Sequence, residues 1–314
     1  MPFEDWSAHI KINRAEILGQ LDQHYFAVND KLALRLYTIR PSGTRMLVNG
    51  LCDALHNALE HFVYSDEKIK QDPGWAARNA GRYFGGKDPS TDGKYGELLL
   101  FVLVESVLGC KMVAHKLKSL SNFNDQVKGG DGIFIGNYDH QGKISPAYLI
   151  GESKVTATFG HALEEALKSL DRFYNENGGA AFLDQELIVA QEFIGQGHNN
   201  IDELYDRLTP TKQAFKEQLL VHPTLLMYST AKYANFEKVA LDSKSLSAAI
   251  SKALKGHEKT YLKSITSKSS LYPKPFASYL DFFIIPCTSV NDFRNAMFEK
   301  IHYMPYVKPV KNGK

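Results

Sequence analysis

Apolar residues recur along this chain at two spacings. In KLALRLYTIRP, Leu32, Leu34 and Leu36 alternate with small or polar neighbours, the period-two pattern of a half-buried strand that Pro41 stops. Leu51, Leu55, Leu59 and Phe62 then fall on one face of a single helix. The stretch FGGKDPSTDG crowds Gly, Pro, Asp and Ser together and marks a boundary before a new helix, YGELLLFVLVESVL, apolar nearly all round and stopped by Gly109. CKMVAHKLKSL predicts a strand, and GGDGIFIGNYDHQGK a short strand at Ile133–Ile135 between two turns. PAYLIGESKVT is the next strand, and HALEEALKSLDRFY an amphipathic helix ended by Asn177, Gly178 and Gly179. LLVHPTLLMYS and YLDFFIIPC read as buried strands, the second leading into a helix, VNDFRNAMFEKI, that Ser289 or Asn291 can cap. From residue 95 to 229 the order is helix, three strands, helix, strand, which predicts an α/β protein with a mixed sheet.

Composition narrows the class. With 314 residues, 44% hydrophobic and 23% charged, the chain suits a globular protein with a sizeable core. A net charge of +2 does not by itself announce nucleic acid, so polyanion binding needs local lysine clusters. Three distant cysteines, Cys52, Cys110 and Cys287, form neither a disulfide framework nor a zinc ribbon and fit a reducing cytoplasm. No signal peptide is evident at the start, and LLLFVLV is too short to span a bilayer, so a cytoplasmic, membrane-free protein is expected.

The chemistry concentrates in PAYLIGESKVT, where an oily strand carries Glu152 and Lys154 on one side with Ser153 opposite. Three readings follow: an edge strand with that face in water, a pair neutralised by structural partners, or a metal site whose cation supplies counter-charge. Asp131, in a Gly-Gly-Asp-Gly turn before Ile133, bears on the third reading. If its strand pairs with the Glu152 strand, the two carboxylates meet at one end of the sheet. Two carboxylates, a backbone carbonyl and waters suit a hard octahedral cation such as Mg²⁺. A lysine two residues from a ligand can then orient the attacking water and screen charge on a phosphate. Glu97, early in the apolar helix, is a third candidate carboxylate, and equally a first-turn acid facing the helix dipole.

The succession G-E, G-D-G and G-E-S-K on helix, strand and strand resembles the PD-(D/E)xK nuclease superfamily. More closely, YGELLLFVLVE, KGGDGIFIG and PAYLIGESKVT, covering about 95–175, resemble the HamA nuclease family of the Hachiman antiphage defence system. The resemblance implies a restriction-endonuclease-like α/β core with helices flanking a mixed sheet, over 89–314, preceded by an N-terminal accessory region, 1–88. It implies Mg²⁺-dependent (or Mn²⁺-dependent) DNA hydrolysis with Asp131 and Glu152 as metal ligands, Lys154 as catalytic lysine and Glu97 as supporting helix carboxylate. Glu105 competes for the last role from within the oily run. The family's nuclease works with HamB, a helicase that restrains it and engages DNA. No Walker A sequence is present here, in keeping with a separate motor and no small-molecule cofactor. RecB-like relatives place a Gln and a Tyr on the helix after the lysine strand, whereas this helix has Tyr174 and no glutamine, leaving Lys168 and Arg172 as substitute DNA contacts.

Further candidates are weaker. Between 243 and 280 seven lysines stand against the single acid Glu258, and Lys252, Lys255, Lys259 and Lys263 are candidate DNA contacts or simply a solvated face. His222, before Pro223 in an apolar strand, reads as a packed core residue rather than a ligand. His56 and His61, five apart, imply no zinc site. A stand-alone repair or restriction nuclease and a non-catalytic regulator with the same fold are the rival functions.

Overall fold

The computed structural model of the protein describes residues 5–114, 130–174 and 201–308. Its centre is a mixed sheet of eight strands in the order β1-β2-β8-β7-β5-β4-β3, with β6 also on β7. The strands are β1 (Leu21–Asn29), β2 (Leu32–Ile39), β3 (Lys111–Ala114), β4 (Ile133–His140), β5 (Lys143–Ile150), β6 (Glu152–Thr156), β7 (Leu219–Ser229) and β8 (Tyr279–Cys287). The helices that matter for the site are α1 (Asn49–Asn57), α2 (Leu59–Val63), α3 (Lys94–Leu103), α4 (Phe159–Asp171), α5 (Ser243–Leu254), α6 (His257–Thr266) and α7 (Val290–His302). The expected succession of helix, three strands, helix and strand is present as α3, β3, β4, β5 with β6, α4 and β7. The end expected at Asn177–Gly179 and most of the lysine-rich stretch after Ala114 lie outside the described residues.

Strands β7 and β8 are buried on both faces, which is why their sequences are continuous apolar runs, and they pair in parallel at the middle of the sheet. Helix α3 is buried nearly all round, with Leu98 to Leu103 fully covered. It passes into a π-helical turn, Val104–Leu108, and Gly109 at φ 67° ends it in the left-handed conformation open to glycine. Ser289 caps α7, accepting from the Asp292 N–H at 3.1 Å.

Four elements differ from expectation. The helix expected through Leu51, Leu55, Leu59 and Phe62 is two helices, α1 and α2, broken at Ala58, although all four side chains are buried as the stripe implied. The strand expected at Ile133–Ile135 runs on to His140, because Gln141 and Gly142, both at positive φ, make a two-residue hairpin turn into β5. PAYLIGESKVT is not one strand but the end of β5 and the whole of β6, interrupted at Gly151. Strand β1, LDQHYFAVN, was not expected; its partly exposed, mixed side chains hide the pattern.

The N-terminal segment 1–88 supplies part of the same sheet. Strand β2 lies parallel on β8, and β1 closes the edge. Residues from both sides of residue 88 share one apolar core. A buried ion pair sits at this join: Arg35 of β2 grips Asp281 of β8 through Nε (2.8 Å) and Nη2 (3.0 Å), and the Tyr138 hydroxyl of β4 donates to the same carboxylate at 3.0 Å.

The two faces of the sheet are distinguishable around β6. Ser153 and Val155 face α3: a Cβ placed on Gly96 would lie 3.2 Å from Ser153 Oγ and 2.9 Å from Val155 Cγ2, so only glycine allows this approach. Thr156 of β6 is paired with Tyr228 of β7, and Phe159 of α4 packs edge-on to Tyr228, so α4 covers the opposite face. Helix α6 joins that layer through Tyr261, packed edge-on to Phe159 at 4.9 Å. Helix α1 packs against α3, and α7 against α1.

Candidate active site

The hairpin of β4 and β5 delivers the turn aspartate to the Glu152 strand. Ile133 stands opposite Ile150, and the pairing continues one step beyond the strands: the Asp131 N–H donates to Gly151 O (2.8 Å) and the Gly151 N–H to Gly132 O (2.9 Å). β6 then goes on along β7, and among the described residues no strand lies on its other edge. Asp131 occupies that edge with its side chain. Its Oδ2 accepts from the Ser153 N–H at 2.7 Å and from Ser153 Oγ at 2.6 Å. Ser153 is the residue between Glu152 and Lys154, so one carboxylate is locked onto the middle of the E-S-K strand.

Glu152 and Lys154 share the face toward α4, and the Lys154 ammonium donates to Glu152 Oε1. The Glu152 side chain is 3% exposed and that of Lys154 25%, so the pair runs from the interior to the surface. Asp131, 5% exposed, is equally withdrawn from water. A lone buried carboxylate is costly, and here two lie within a three-residue stretch of one strand edge.

Glu97 enters from the α3 side, in the turn after Gly96. Its charge reaches the phenol of Tyr83, as do those of Asp92 and Asp131; with burial as the main cause, these three raise the Tyr83 pKa far above the ordinary tyrosine range. Glu105, the competing acid, is taken up elsewhere: fully buried, it accepts from the Met112 N–H at 3.0 Å and faces Lys111 Nζ at 3.4 Å, bracing β3.

Two contributors were missed in the sequence. Asp92, before α3, is buried, and burial and then the neighbouring Glu97 push its pKa up, against the Lys94 N–H that it accepts (3.0 Å). Among the described residues its Oδ2 has no hydrogen-bond partner. Arg294 of α7 donates from Nη2 to Val155 O (2.7 Å), fastening the free edge of β6 just beyond Lys154. Neither leaves a motif in the sequence; for Asp92 the D-G-K triplet at the helix start was the available signal.

The remaining predicted positions are not at this edge. Lys168 is exposed on α4 and Arg172 in the turn just after it, Lys252 and Lys255 at the end of α5, and Lys259 and Lys263 on the outer side of α6. Tyr174 is not presented as a DNA contact: its hydroxyl lies 2.5 Å from His222 Nε2 and 2.6 Å from Ser278 Oγ. His222 is fully buried, as expected of a core residue, and it is also hydrogen-bonded at both ring nitrogens. The three cysteines are buried and free. Among the described residues no helix is long and apolar enough to cross a membrane.

Buried carboxylates such as Asp131 and Glu152 suit a hard cation, and the orphaned Asp92 oxygen adds acidic character near Glu97. Among the described residues no three of His, Cys, Asp and Glu converge into a complete cage, so a cation held by Asp131 and Glu152 would have to take its remaining ligands from water and substrate oxygens.

Compared with known proteins, the chain matches the family model described as HamA over residues 16–301. No curated protein matches it.

Proposed function

The chain belongs to the HamA family, and from that premise we propose that it is the DNA-cleaving component of a Hachiman antiphage defence system, a metal-dependent deoxyribonuclease restrained and delivered by a HamB-like helicase. The observation that carries the reading is the Asp131 carboxylate bonded to both the N–H and the hydroxyl of Ser153, which puts an acid from one strand beside Glu152 and Lys154 of the next. A turn aspartate with a merely local role would bond its own loop.

In this reading Asp131 and Glu152 hold Mg²⁺ or Mn²⁺. The cation, when bound, neutralises phosphate charge and makes water a better nucleophile. The chain's own residues do the rest. Ser153 holds Asp131 by two donors, so the acid is pre-oriented before substrate arrives. Lys154, at the exposed end of the pair, exchanges its contact with Glu152 for the attacking water or a phosphate oxygen and places positive charge where negative charge develops. Glu97 and Asp92 keep the α3 side of the edge acidic, and Arg294 holds β6 in place beyond Lys154. Exposed lysines on α5 and α6, with Lys168 on α4 and Arg172 just after it, hold the DNA backbone without reading sequence.

The test is cleavage of supercoiled and linear DNA by the purified chain, alone and with its helicase, in Mg²⁺, Mn²⁺ or chelator. Cleavage that needs the cation and disappears in folded Glu152→Gln and Lys154→Ala variants supports the reading. Undiminished cleavage by those variants rejects the site, and intact DNA under every condition favours the non-catalytic regulator.

A further inference from the structure

Strand β7 carries a proline, Pro223, in the middle of a sheet, where a missing N–H breaks a ladder. The break can be located. Leu149 pairs with Val221 and Glu152 with Thr224 in one unshifted register, which sets Ile150 against His222 and Gly151 against Pro223. Gly151 turns its N–H toward Gly132 and its carbonyl toward Asp131, so Ile150 turns its own toward β7. In a parallel ladder that carbonyl would accept from the N–H of residue 223, and proline has none.

His222 fills the gap. Its Nδ1 lies 3.1 Å from Ile150 O, so the ring supplies the donor that the neighbouring backbone lacks. With Nδ1 protonated and donating, Nε2 is the acceptor and takes the Tyr174 hydroxyl proton at 2.5 Å; Tyr174 in turn accepts from Ser278 Oγ at 2.6 Å. Phe173 stacks on the ring at 6.0 Å. The His222 ring at the centre of this chain is fully buried, and the two hydrogen bonds fix it to one tautomer.

We propose that His222 is a positioning residue for the candidate active site. Its ring holds the Ile150 carbonyl on one side of Gly151, while Asp131 holds the Gly151 carbonyl on the other, and Glu152 follows directly. The peptide that sets the separation of Asp131 from Glu152 is thereby clamped from both strands, and Tyr174, the residue whose counterpart in RecB-like relatives sits by the DNA, serves the clamp. A side chain at Gly151 would have to push Leu100 aside, since a Cβ would lie 2.8 Å from Leu100 Cδ2. The inference rests on the metal-site reading of Asp131 and Glu152 but concerns how that site is held.

The test compares His222→Leu, which keeps apolar volume and loses the donor, with His222→Asn, whose carboxamide N–H can occupy the Nδ1 position. Tyr174→Phe removes the outer link while leaving His222 in place. Each full-length variant is first shown folded by circular dichroism. Mn²⁺ affinity is measured by calorimetry, cleavage is split into kcat and KM, and amide exchange is followed in the segments 130–134 and 150–156. His222→Leu should weaken Mn²⁺ binding and lower kcat by about tenfold, as for outer positioning partners of metal ligands, with KM for DNA unchanged. Exchange should rise at Gly151 and Ser153, and His222→Asn should recover most of each effect. Equal behaviour of the Asn and Leu variants, or a folded Leu variant with native exchange at Gly151 and Ser153, overturns the proposal. Should His222→Leu not fold, Tyr174→Phe decides by the same exchange readout. A wild-type chain that neither binds Mn²⁺ nor cuts DNA would remove the catalytic reading, and the exchange measurement would still decide whether His222 holds this strand.

Discussion

Replacing Asp281 by alanine should unfold the protein more readily than any other single polar change in the sheet. The carboxylate is fully buried, and it satisfies Arg35 Nε and Nη2 at 2.8 and 3.0 Å and the Tyr138 hydroxyl at 3.0 Å. Burial by itself would depress the Arg35 pKa; the charge and hydrogen bonds of Asp281 outweigh it and hold the pKa above its ordinary value, so the guanidinium stays charged. Alanine therefore leaves a cation, 11% exposed, with no counter-ion, and stripping one partner from a buried pair costs about 3–5 kcal/mol. The orphaned Tyr138 hydroxyl adds about 1 kcal/mol. Arg35→Met is destabilising too, because it leaves the fully buried Asp281 carboxylate with only the Tyr138 hydroxyl, and the double change Arg35→Met with Asp281→Leu should recover most of the loss, since well-packed apolar replacements of buried pairs are close to neutral. Urea unfolding at pH 7 of the four proteins gives the coupling energy directly. An Asp281→Ala cost below about 1 kcal/mol, or strict additivity of the two single changes, would refute the reasoning, because the pair is then not what ties β2 to β8. The outcome also bears on the N-terminal segment: if the pair is this strong, residues 1–88 are not a detachable appendage, and deleting them should leave an insoluble remainder.

Three more outcomes follow from the same structure. Burial lowers the His222 pKa from the usual 6.5 to about 4, so the folded state resists its protonation and the unfolded state does not; stability is complete above pH 6.5 and falls below it, by about 2 kcal/mol at pH 5 from this residue. Unfolding free energies of wild type and His222→Asn at pH 7 and 5 should show that pH dependence shrinking by this amount in the variant; equal pH dependence is the contrary result. Gly96→Ala drives a methyl to 2.9 Å from Val155 Cγ2, and overpacking of this kind costs about 1–3 kcal/mol, so its melting temperature should fall. Cleavage should drop more than DNA binding, since α3 carries Glu97 beside the shifted strand; a stable, fully active Gly96→Ala protein would deny the close approach. Lys259→Ala with Lys263→Ala, both exposed on α6, should lower the slope of log affinity against log salt by about two in a DNA-binding titration, whereas an unchanged slope would assign these lysines to a solvated face.

Much of this was legible in the sequence, and the parts that were not have identifiable causes. β7 and β8 were readable because strands buried on both faces are apolar throughout and end at turn residues. The meeting of Asp131 with the Glu152 strand was readable because a hairpin between their strands forces it, whatever its turn. β1 was hidden because its side chains are mixed and partly exposed at the sheet edge, where packing imposes little pattern. The break at Gly151 was hidden for a different reason: its cause lies on another strand, in a proline 72 positions later, and only the register brings the two together. Arg294, 139 residues from Val155, is invisible for the same reason.

The dipeptide His222–Pro223 did carry a readable clue. A proline inside a central strand obliges some other group to donate where its N–H is absent, and histidine is one of few side chains that can be buried neutral and still donate. A histidine in an apolar strand is ordinarily explained by packing alone, and here packing and hydrogen bonding point the same way: the ring is covered on one side by Phe173 and bonded at both nitrogens. The same logic separates Glu97 from Glu105. Both acids sit on one apolar helix run, but the one deep in the run accepts from β3 and bears on folding, while the one beside Gly96 lies where the helix touches the Ser153 strand. Position relative to that strand, more than acidity or burial, is what would distinguish a site acid from a structural one under the proposed function.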